Sequence, residues 1–531
     1  MYGSRLSNRS MIISNNGMVA SSQPLAVQAG IDILKMGGNA IDAAIAVAST
    51  LNIVEPMSTG IGGDAFALIY SNEDDKLHAI NASGWTSENL SIDYFKDKGM
   101  DKIPDIGIHS ISVPGAASGY AKVLERFGSM SFKEVFQSAI YYGENGFPVS
   151  EMVGNSWRNA ETKLRSHEAT SKVYLPNGFA PRVGDIAYNK DLANTFKDLA
   201  KFGVDEFYKG EIAKKIIKFC NENGGVFTKE DFAAFEAEWV DPISSKYKDF
   251  EIYQCPPNGQ GIATLLTLNI MKGFETSEMV HNSAKYLHLF LEAKKLAWAD
   301  LRTFVSDPKF NDLPIEELLS DEYSIKQQNR IDLNKAASNV QPGLDWSSGD
   351  TIYLCVVDKD RNVVSFINSL YNGFGSGLVA EGTGICLQNR GSLFSLDKNH
   401  LNAIQPRKRP FQTIIPAMAL QEGKPVLNFG VMGGDMQPQG QAQVFLNMVE
   451  FNMNVQQALE APRARHYNDN SIALERGIDT KTRYKLLLKG HKIKNDVLEF
   501  FGGGQIIAID NERDVLFGGS DPRRDGCAIG Y

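Results

Sequence analysis

The sequence of 531 residues predicts an α+β fold, a four-layer αββα sandwich in which β-sheets lie between layers of helices. Two long stretches, residues 24 to 54 and 115 to 235, have mainly helical patterns. A later segment, Thr351 to Val357, is apolar at both strand parities, which predicts a strand covered by other layers on both faces. The chain is also too long for one simple core.

The N-terminal part predicts two helices separated by residues 36 to 39. The second helix, Ala40 to Leu51, is apolar on nearly every face and should be buried. A glycine-rich segment, Ser58 to Asp64, then leads into an apolar strand, Ala65 to Tyr70. A dinucleotide-binding loop needs the order strand, glycines, helix, so this order of helix, glycines, strand predicts no nucleotide site.

The middle of the chain predicts further helices, among them Glu211 to Asn223 and Lys229 to Glu238. A long helix is expected over residues 285 to 305. The polar stretch Ser320 to Asp350 has weak periodicity, which predicts an exposed and mobile segment.

A strand–turn–strand unit is predicted from Thr351 to Val357 and Val363 to Ser369. Thr351 heads the first strand after a loop rich in Ser, Gly and Asp, so a cut there would create a new N-terminus. A free N-terminal threonine is nucleophile and base in one residue, because its α-amine can take the hydroxyl proton. β-Branched residues also open ordinary strands. The local sequence leaves both interpretations open.

Composition limits the partners and the compartment. The formal net charge of −9 does not favour nucleic acid, and no apolar run is long enough to predict a membrane span. The first ten residues lack the apolar region of a signal peptide. The five cysteines form no CxxC pair, which favours a reducing compartment, so a cytoplasmic location is expected.

Eight short motifs follow one another from residue 39 to residue 524. They are Asn39-Ala40-Ile41-Asp42-Ala43-Ala44, Thr59-Gly60-Ile61-Gly62-Gly63, Val113-Pro114-Gly115, Gly225-Val226-Phe227-Thr228-Lys229-Glu230-Asp231, Pro256-Pro257-Asn258-Gly259-Gln260-Gly261, Lys408-Arg409-Pro410, Gly433-Gly434 and Asp521-Pro522-Arg523-Arg524. Together they resemble the γ-glutamyltransferase family of the N-terminal nucleophile hydrolase superfamily. The order of the whole set is specific, although each motif alone is weak.

The resemblance implies a precursor that cuts itself at the Asp350–Thr351 bond. The mostly helical large subunit would be residues 1 to 350, and the small subunit, residues 351 to 531, would begin with the nucleophile Thr351. The two subunits would form one catalytic unit. The Thr351 hydroxyl would attack an amide carbonyl, and the acyl-enzyme would pass to water or to an amine acceptor. This chemistry implies no cofactor and a small-molecule amide substrate.

Two supporting features are implied by the same resemblance. Ser369 matches the family position whose hydroxyl binds the nucleophile, and Gly433 and Gly434 match the oxyanion pair whose backbone N–H groups approach the developing charge. Taken alone, Ser369 would be an ordinary strand serine and the glycine pair a turn before a helix.

The sequence departs from the family where the glutamyl group is recognised. Leu393 stands where the resemblance implies an acidic residue for the ammonium group, and Tyr371 stands where it implies an asparagine. Gln412 and Thr413 replace a pair of serines. An ammonium group without its carboxylate partner loses about 1.5–3 kcal/mol of contact energy. The sequence therefore predicts the type of reaction more specifically than the substrate.

Arg390 could compensate for the missing glutamyl-binding residues. On the sequence alone it is either a surface arginine on a loop or a bidentate clamp for a substrate carboxylate. Its stretch, Gln388 to Gly391, resembles the branch of the family related to oxamate amidohydrolases and some acylases, as does Gly433 to Asp435. We therefore expect an amide with an anionic acyl part, with γ-glutamyl compounds as alternative substrates. The candidate substrate-binding residues are Tyr371, Asn389, Arg390, Gln412, Thr413 and Asp435.

Other classes are less favoured by the sequence. The eight histidines include no HExxH motif and no ligand-like cluster, so a metalloenzyme is not predicted. A non-catalytic family member would not need Thr351, Ser369 and the glycine pair, all of which are retained. The sequence leaves a homo-oligomer open.

Overall fold

A computed structural model describes residues 7–338, 340, 350–467, 470–494 and 501–531. Two seven-stranded β-sheets stack face to face, and helices cover their outer faces. The predicted four-layer αββα sandwich is confirmed.

The strands are, in chain order, β1 (Ile12–Ser14), β2 (Met18–Ser21), β3 (Asp64–Ser71), β4 (Lys76–Ala82), β5 (Phe147–Pro148), β6 (Ile186–Ala187), β7 (Glu238–Val240), β8 (Ile243–Tyr247), β9 (Phe250–Gln254), β10 (Asp350–Val357), β11 (Val363–Tyr371), β12 (Val379–Ala380), β13 (Ile385–Cys386), β14 (Ala417–Gln421), β15 (Lys424–Met432), β16 (Ala464–His466), β17 (Ser471–Leu474), β18 (Lys492–Ile493), β19 (Gly503–Asp510), β20 (Val515–Ser520) and β21 (Cys527–Gly530). One sheet has the order β1-β20-β19-β15-β14-β9-β8, and the other has the order β21-β2-β10-β11-β3-β4-β7.

The α-helices are α1 (Pro24–Lys35), α2 (Ala40–Val54), α3 (Ile92–Asp97), α4 (Ala116–Phe127), α5 (Phe132–Val135), α6 (Gln137–Asn145), α7 (Glu151–Asn159), α8 (Glu161–Leu164), α9 (Glu168–Tyr174), α10 (Lys190–Phe202), α11 (Asp205–Tyr208), α12 (Glu211–Glu222), α13 (Lys229–Ala233), α14 (Gly261–Met271), α15 (Ala284–Phe304), α16 (Ile315–Leu318), α17 (Asp321–Gln328), α18 (Met436–Val449), α19 (Val455–Glu460) and α20 (Thr480–Leu488). Short 3-10 turns lie at Ile108–Ser110, Thr276–Glu278 and Arg390–Leu393.

Three apolar cores separate the four layers. Tyr353 and Cys355 of β10 pack between the two sheets. The alternate residues of the same strand, Ile352 and Leu354, pack against the helical layer that contains α1 and α2. The second helical layer, with α14, α15 and α18, covers the outer face of the other sheet. The prediction that β10 is covered on both faces is confirmed.

The pairing of β10 is irregular where it begins. Asp350 lies opposite Tyr371, whereas Ile352 lies opposite Asn368, so the register shifts at Thr351. A bulge of this kind changes the direction of side chains and is common beside active sites. On its other side, β11 pairs with β3, which places Ser369 opposite Asp64.

Most predicted elements are present. The helices predicted at residues 211 to 223 and 285 to 305 correspond to α12 and α15. The prediction of one helix from Lys229 to Glu238 is wrong, because α13 ends at Ala233 and Glu238 begins β7, where pairing with β4 satisfies the backbone.

The polar stretch Ser320 to Asp350 contains the helix α17, which the sequence did not predict. Residues 339 and 341–349 of this stretch lie outside the described residues, and so does the side chain of Asp350. Its predicted mobility stays a prediction.

Two other sequence-based expectations concern the environment of the chain. None of the described helices is long and apolar enough to cross a membrane. All five cysteines lie within the described ranges and are free thiols, and four of them are buried.

The glycine-rich segment Ser58 to Asp64 forms backbone hydrogen bonds with two segments that are distant in sequence. The carbonyl of Gly62 accepts a hydrogen bond from the N–H of Gln388 (3.1 Å), and that of Gly63 accepts from Gly115 (2.9 Å). A Cβ at Gly63 would collide with the carbonyl group of Ser369. Glycine is therefore required there by close approach of two backbones.

Gly63→Ala should destabilise the protein by about 1–3 kcal/mol, because the added methyl group forces β3 and β11 apart. Gly60→Ala is the matched control, since its methyl group would meet only the side-chain tip of Leu370, at 3.2 Å. The midpoint of thermal unfolding should fall clearly in the first variant and little in the second. Equal midpoints in the two variants would contradict this account of the segment.

Candidate active site

Thr351 is fully buried at the bulged start of β10. Its hydroxyl donates a hydrogen bond to Oγ of Ser369, at 3.2 Å. It also accepts a longer one, 3.4 Å, from the side-chain amide of Gln437. In the unbroken chain the nitrogen of Thr351 belongs to the peptide bond with Asp350, so the hydroxyl is positioned while the α-amine is still masked.

Ser369 is held by the residue that ends its own strand. The backbone N–H of Tyr371 donates to Oγ of Ser369, at 2.8 Å. This contact requires the chain to turn sharply, and Tyr371 has a φ of 80°, a region that non-glycine residues rarely adopt. Strained residues of this kind cluster at functional sites. Tyr371 thus fixes the hydroxyl that contacts Thr351.

Gly433 and Gly434 form the turn between β15 and α18, and both have positive φ values. The carbonyl of Gly434 accepts hydrogen bonds from the N–H of Gln437 and from the side chain of Gln260. Gln437 is also the residue whose side chain reaches Thr351. The glycine turn and the N-terminus of a 14-residue helix therefore lie beside the Thr351 hydroxyl.

Arg390 is completely buried, so its interpretation as a surface residue is wrong. Its Nη1 donates to the hydroxyl of Thr413 at 3.0 Å, and its guanidinium group lies 5.3 Å from the ring centre of Tyr371. None of the described residues accepts a hydrogen bond from Nε or Nη2 of Arg390. Burial lowers the pKa of Arg390 to about 10, so the side chain is still a cation at neutral pH.

Asp64 is the counter-ion of Arg390, at a distance of 3.8 Å from Oδ2 to Nε. Its oxygens accept hydrogen bonds from the side chains of Gln388 (2.8 Å) and Gln412 (2.6 Å) and from the N–H of Gly84 (2.8 Å). Burial raises the pKa of Asp64, and the positive charge of Arg390 opposes that shift. The ion pair is too long for a direct hydrogen bond, so it leaves Arg390 able to take another anion.

The predicted site residues are joined by a closed circuit of contacts. It runs from Thr351 through Ser369 and Tyr371 to Arg390. Arg390 then donates to the hydroxyl of Thr413, and the carbonyl of Thr413 accepts from the side chain of Gln260. Gln260 and Gln437 both donate to the carbonyl of Gly434, and the side chain of Gln437 closes the circuit at Thr351. Seven of these eight contacts are hydrogen bonds, and the other is the cation–π contact of Arg390 with Tyr371. The circuit links the Thr351 hydroxyl to polar groups of β10, β11 and α18 and of the segments that join the other elements.

Other predicted substrate-binding residues occupy different positions around this circuit. The side chain of Asn389 already donates to the carbonyl of Asp105 and accepts from the N–H of Asn372, so it holds the loop after β11. The side-chain amide nitrogen of Gln412 donates a hydrogen bond to Oδ2 of Asp64. Asp435 directly follows the glycine turn. Direct contact of these three with substrate stays a prediction.

Leu393, which stands at the position of the implied acidic residue, lies in an apolar cluster with Tyr371 and Phe411. This cluster is a packed wall on one side of Arg390, and it offers no anion to a substrate ammonium group.

Sequence reasoning did not identify Asp64, Gln260, Gln388 or Gln437 as site residues. The sequence carried a signal for three of them, because Asp64 directly follows the motif Thr59 to Gly63, and Gln260 and Gln388 lie within quoted segments. Their roles depend on contacts between distant segments, because Asp64 binds residues 324 and 348 positions away.

The statement that the histidines form no ligand-like cluster is wrong for the folded chain. His288, Glu292 and His491 come together in the interior. Nδ1 of His288 lies 2.8 Å from Nε2 of His491, and Lys295 donates to Glu292 at 2.7 Å. Burial lowers the pKa of His491 to about 3. The ammonium group on the carboxylate and the hydrogen bond between the rings join these side chains into one buried polar network, in which Nδ1 of His491 has no hydrogen-bond partner among the described residues.

Comparison with known proteins agrees with this geometry. The sequence profile of the family described as Gamma-glutamyltranspeptidase matches residues 26–531. The glutathione hydrolase-like YwrD proenzyme of Bacillus subtilis (strain 168) is 39% identical over 528 residues, which are 98% of this chain and 99% of that protein. The oxamate amidohydrolase proenzyme of Klebsiella pneumoniae is 33% identical over 534 residues, with 98% and 99% covered.

Solved structures give the same result. The crystal structure of cephalosporin acylase from Bacillus halodurans superposes with a TM-score of 0.94 at 41% identity, and the match covers 100% of this chain and 98% of that one. The chain belongs to the γ-glutamyltranspeptidase family, with the fold of the N-terminal nucleophile hydrolases, and it is an enzyme of the hydrolase and acyltransferase type. The resemblance inferred from the motifs is confirmed.

Asp64→Asn should destabilise the protein by about 3 kcal/mol, because it leaves the guanidinium group of Arg390 buried without a counter-ion. Replacing both partners, as Asp64→Asn with Arg390→Met, should recover part of the loss, since no charge is then left alone. Thermal unfolding midpoints of the two single variants and the double variant measure the coupling. Strictly additive losses would show that the two residues do not interact.

Proposed function

We propose that this protein is a self-cleaving amidohydrolase or acyltransferase in which Thr351 is the nucleophile. The cut falls between Asp350 and Thr351 and yields a large subunit of residues 1–350 and a small subunit of residues 351–531. The position of the Thr351 hydroxyl on Ser369 supports this proposal. The relatives from Bacillus subtilis and Klebsiella pneumoniae are both named proenzymes, which agrees with a precursor that is cleaved.

The first reaction is the cleavage of the chain itself. The Thr351 hydroxyl attacks the carbonyl carbon of Asp350, the C–N bond breaks, and an ester joins the two segments. The hydroxyl proton passes to the nitrogen, so that breakage of the C–N bond frees the α-amine of Thr351. Water then opens the ester, which restores the hydroxyl and separates the two segments. In each later turnover this amine takes the hydroxyl proton and gives it to the leaving amine, while Gly433 and Gly434 stabilise the oxyanion.

The substrate proposed is an amide whose acyl part carries a carboxylate. The observation that carries this proposal is the buried guanidinium group of Arg390, whose Nε and Nη2 have no hydrogen-bond acceptor in the part of the chain that the structure describes. Unpaired buried donors are costly, and a bidentate carboxylate satisfies them both. The apolar side chain of Leu393 offers no ammonium partner, so a simple dicarboxylic acyl group fits better than a γ-glutamyl group.

A second candidate follows from the relatives. Several proteins similar to this chain are named glutathione hydrolase, among them one of Escherichia coli at 33% identity. A γ-glutamyl amide also has the carboxylate that Arg390 would bind, so it is an alternative substrate. The apolar environment of Leu393 favours activity as an acylase of the oxamate or glutaryl type over activity on γ-glutamyl amides.

The purified protein should separate into two fragments that meet at residues 350 and 351. Intact-mass spectrometry measures both fragments, and N-terminal sequencing of the smaller one should begin Thr-Ile-Tyr. Thr351→Ala should remain one chain of 531 residues without turnover, because it has no hydroxyl. Thr351→Ser is the control that retains a hydroxyl and should still be cut. Turnover by the alanine variant would place the chemistry elsewhere.

Arg390→Ala should lower kcat/KM for glutaryl p-nitroanilide by about 10- to 150-fold, the loss expected for a charge-assisted contact of 1.5–3 kcal/mol. The matched substrate is pentanoyl p-nitroanilide, which has the same number of carbons and no carboxylate. It should be affected much less. Arg390→Lys keeps the charge without the planar fork and should give an intermediate value. Equal losses on both substrates would contradict a carboxylate clamp.

A further inference from the structure

The side chain of Gln437 presents a hydrogen-bond donor to the nucleophilic oxygen. Gln437 is the second residue of α18 and is completely buried. Its side-chain oxygen accepts a hydrogen bond from the backbone N–H of Ile415, at 3.1 Å. A backbone N–H can only donate, so the amide oxygen must lie on that side and the NH2 group must face the hydroxyl of Thr351. The fold therefore fixes which end of the amide meets the nucleophile.

The backbone of Gln437 is held as firmly as its side chain. Its N–H donates to the carbonyl of Gly434 at 3.1 Å, which ties the glycine turn to the first turn of α18. The same carbonyl accepts from the side chain of Gln260, at 2.9 Å. A donor that is held in this way needs no reorientation when charge develops beside it, and such preorganised donors are effective in catalysis.

The contact between Gln437 and Thr351 is long. Nε2 of Gln437 lies 3.4 Å from Oγ1 of Thr351, whereas most N–H···O bonds measure about 2.7–3.2 Å. A neutral hydroxyl oxygen attracts this donor weakly, and a negatively charged oxygen attracts it more strongly and at a shorter distance. The contact therefore strengthens as the oxygen loses its proton. An interaction that is stronger in the transition state than in the resting enzyme accelerates the reaction.

We propose that Gln437 is a catalytic residue whose side-chain N–H stabilises the negative charge that develops on the Thr351 oxygen. The proposal rests on the proposed function of Thr351. The role differs from that of Gly433 and Gly434, whose backbone N–H groups would act on the carbonyl oxygen of the substrate. Ser369 lies on the other strand of the hairpin, 3.2 Å from the same threonine oxygen, so β11 and α18 each supply one uncharged partner to it.

The threonine oxygen develops negative charge twice in each turnover. In the attack, its O–H bond breaks as its bond to the acyl carbon forms, and the α-amine takes the proton. In hydrolysis of the ester, water adds to the acyl carbon and gives one proton to the α-amine. The C–O bond to Thr351 then breaks, its electron pair stays on the threonine oxygen, and the ammonium group returns the proton. Gln437 keeps both of its own amide protons throughout.

Gln437→Met removes the donor and keeps an unbranched side chain of similar length. In the processed enzyme, kcat/KM reports the attack and kcat also includes hydrolysis of the ester. Both should fall about 10- to 150-fold with glutaryl p-nitroanilide, the range for loss of a charge-assisted hydrogen bond. The same fall is expected with pentanoyl p-nitroanilide, because the threonine oxygen is common to both reactions. Arg390→Ala, in contrast, should affect mainly the substrate that has a carboxylate.

Gln443→Met is the matched control on the same helix. Gln443 is also buried, and its side-chain amide donates to the carbonyls of Gln439 and Ala464 and accepts from the N–H of Ala464. The substitution therefore removes buried hydrogen bonds that do not involve Thr351. It should lower the midpoint of thermal unfolding and leave kcat/KM unchanged for both substrates.

Gln437→Glu gives a readout that a purely structural role would not produce. The carboxyl group can still accept from Ile415, but it donates to Thr351 only when it is protonated. Burial raises the pKa of a carboxyl group, so the protonated form should persist at moderately acidic pH. The α-amine must be unprotonated to act, so kcat/KM should rise with pH and then fall as the new carboxyl group ionises. The parent enzyme and Gln437→Met should lack this falling limb.

Self-cleavage of Gln437→Met is a second measurement that needs no mature enzyme. Intact-mass spectrometry over time should show the two fragments forming more slowly than in Gln443→Met, because the same threonine oxygen attacks Asp350. A precursor of Gln437→Met that stays uncut, yet unfolds cooperatively at the midpoint of the Thr351→Ala precursor, would also support the proposal.

The outcomes separate this role from the proposed function. Gln437→Met with the kcat/KM and the cleavage rate of Gln443→Met would overturn the role of Gln437 alone. A loss confined to glutaryl p-nitroanilide would overturn it as well, since Gln437 would then act on the carboxylate. Turnover by Thr351→Ala would overturn the proposed function and this role together. Equal losses on both substrates, with a falling limb only in Gln437→Glu, support the proposal.

Discussion

The burial of β10 on both faces is the constraint on which the rest of the site depends. Because β10 lies between a helical layer and the second sheet, its register with β11 is fixed by packing on both sides. The bulge at its start therefore holds Thr351 in one place, 3.2 Å from Ser369. A nucleophile on a rigid strand needs no loop closure to meet its partner.

A buried pair of opposite charges is the second constraint on the site. Arg390 is buried near Asp64, yet its Nε and Nη2 find no hydrogen-bond acceptor within the described ranges, which suits an anionic acyl group. The acyl part of an amide would thus be bound through its negative charge.

Much of this could be predicted from the sequence, because the signals were local or lay in ordered motifs. The two-sided apolar pattern of β10 predicted its burial, and the glycine pair preceded a helix as expected. The positions of Asp64 and Gln437 could not be predicted in the same way, since their partners are distant in sequence. The burial of Arg390 was equally undecided, because a 3-10 turn has no periodicity that separates inside from outside.

The most direct test of the central claim is to trap the acyl-enzyme. The processed protein is mixed with glutaryl p-nitroanilide, quenched in acid within the first turnover and analysed by peptide mass spectrometry. The account predicts that the glutaryl group is attached to the peptide that begins at Thr351, and that it disappears as turnover is completed. Attachment to any other peptide, or full turnover without a covalent adduct, would contradict the account.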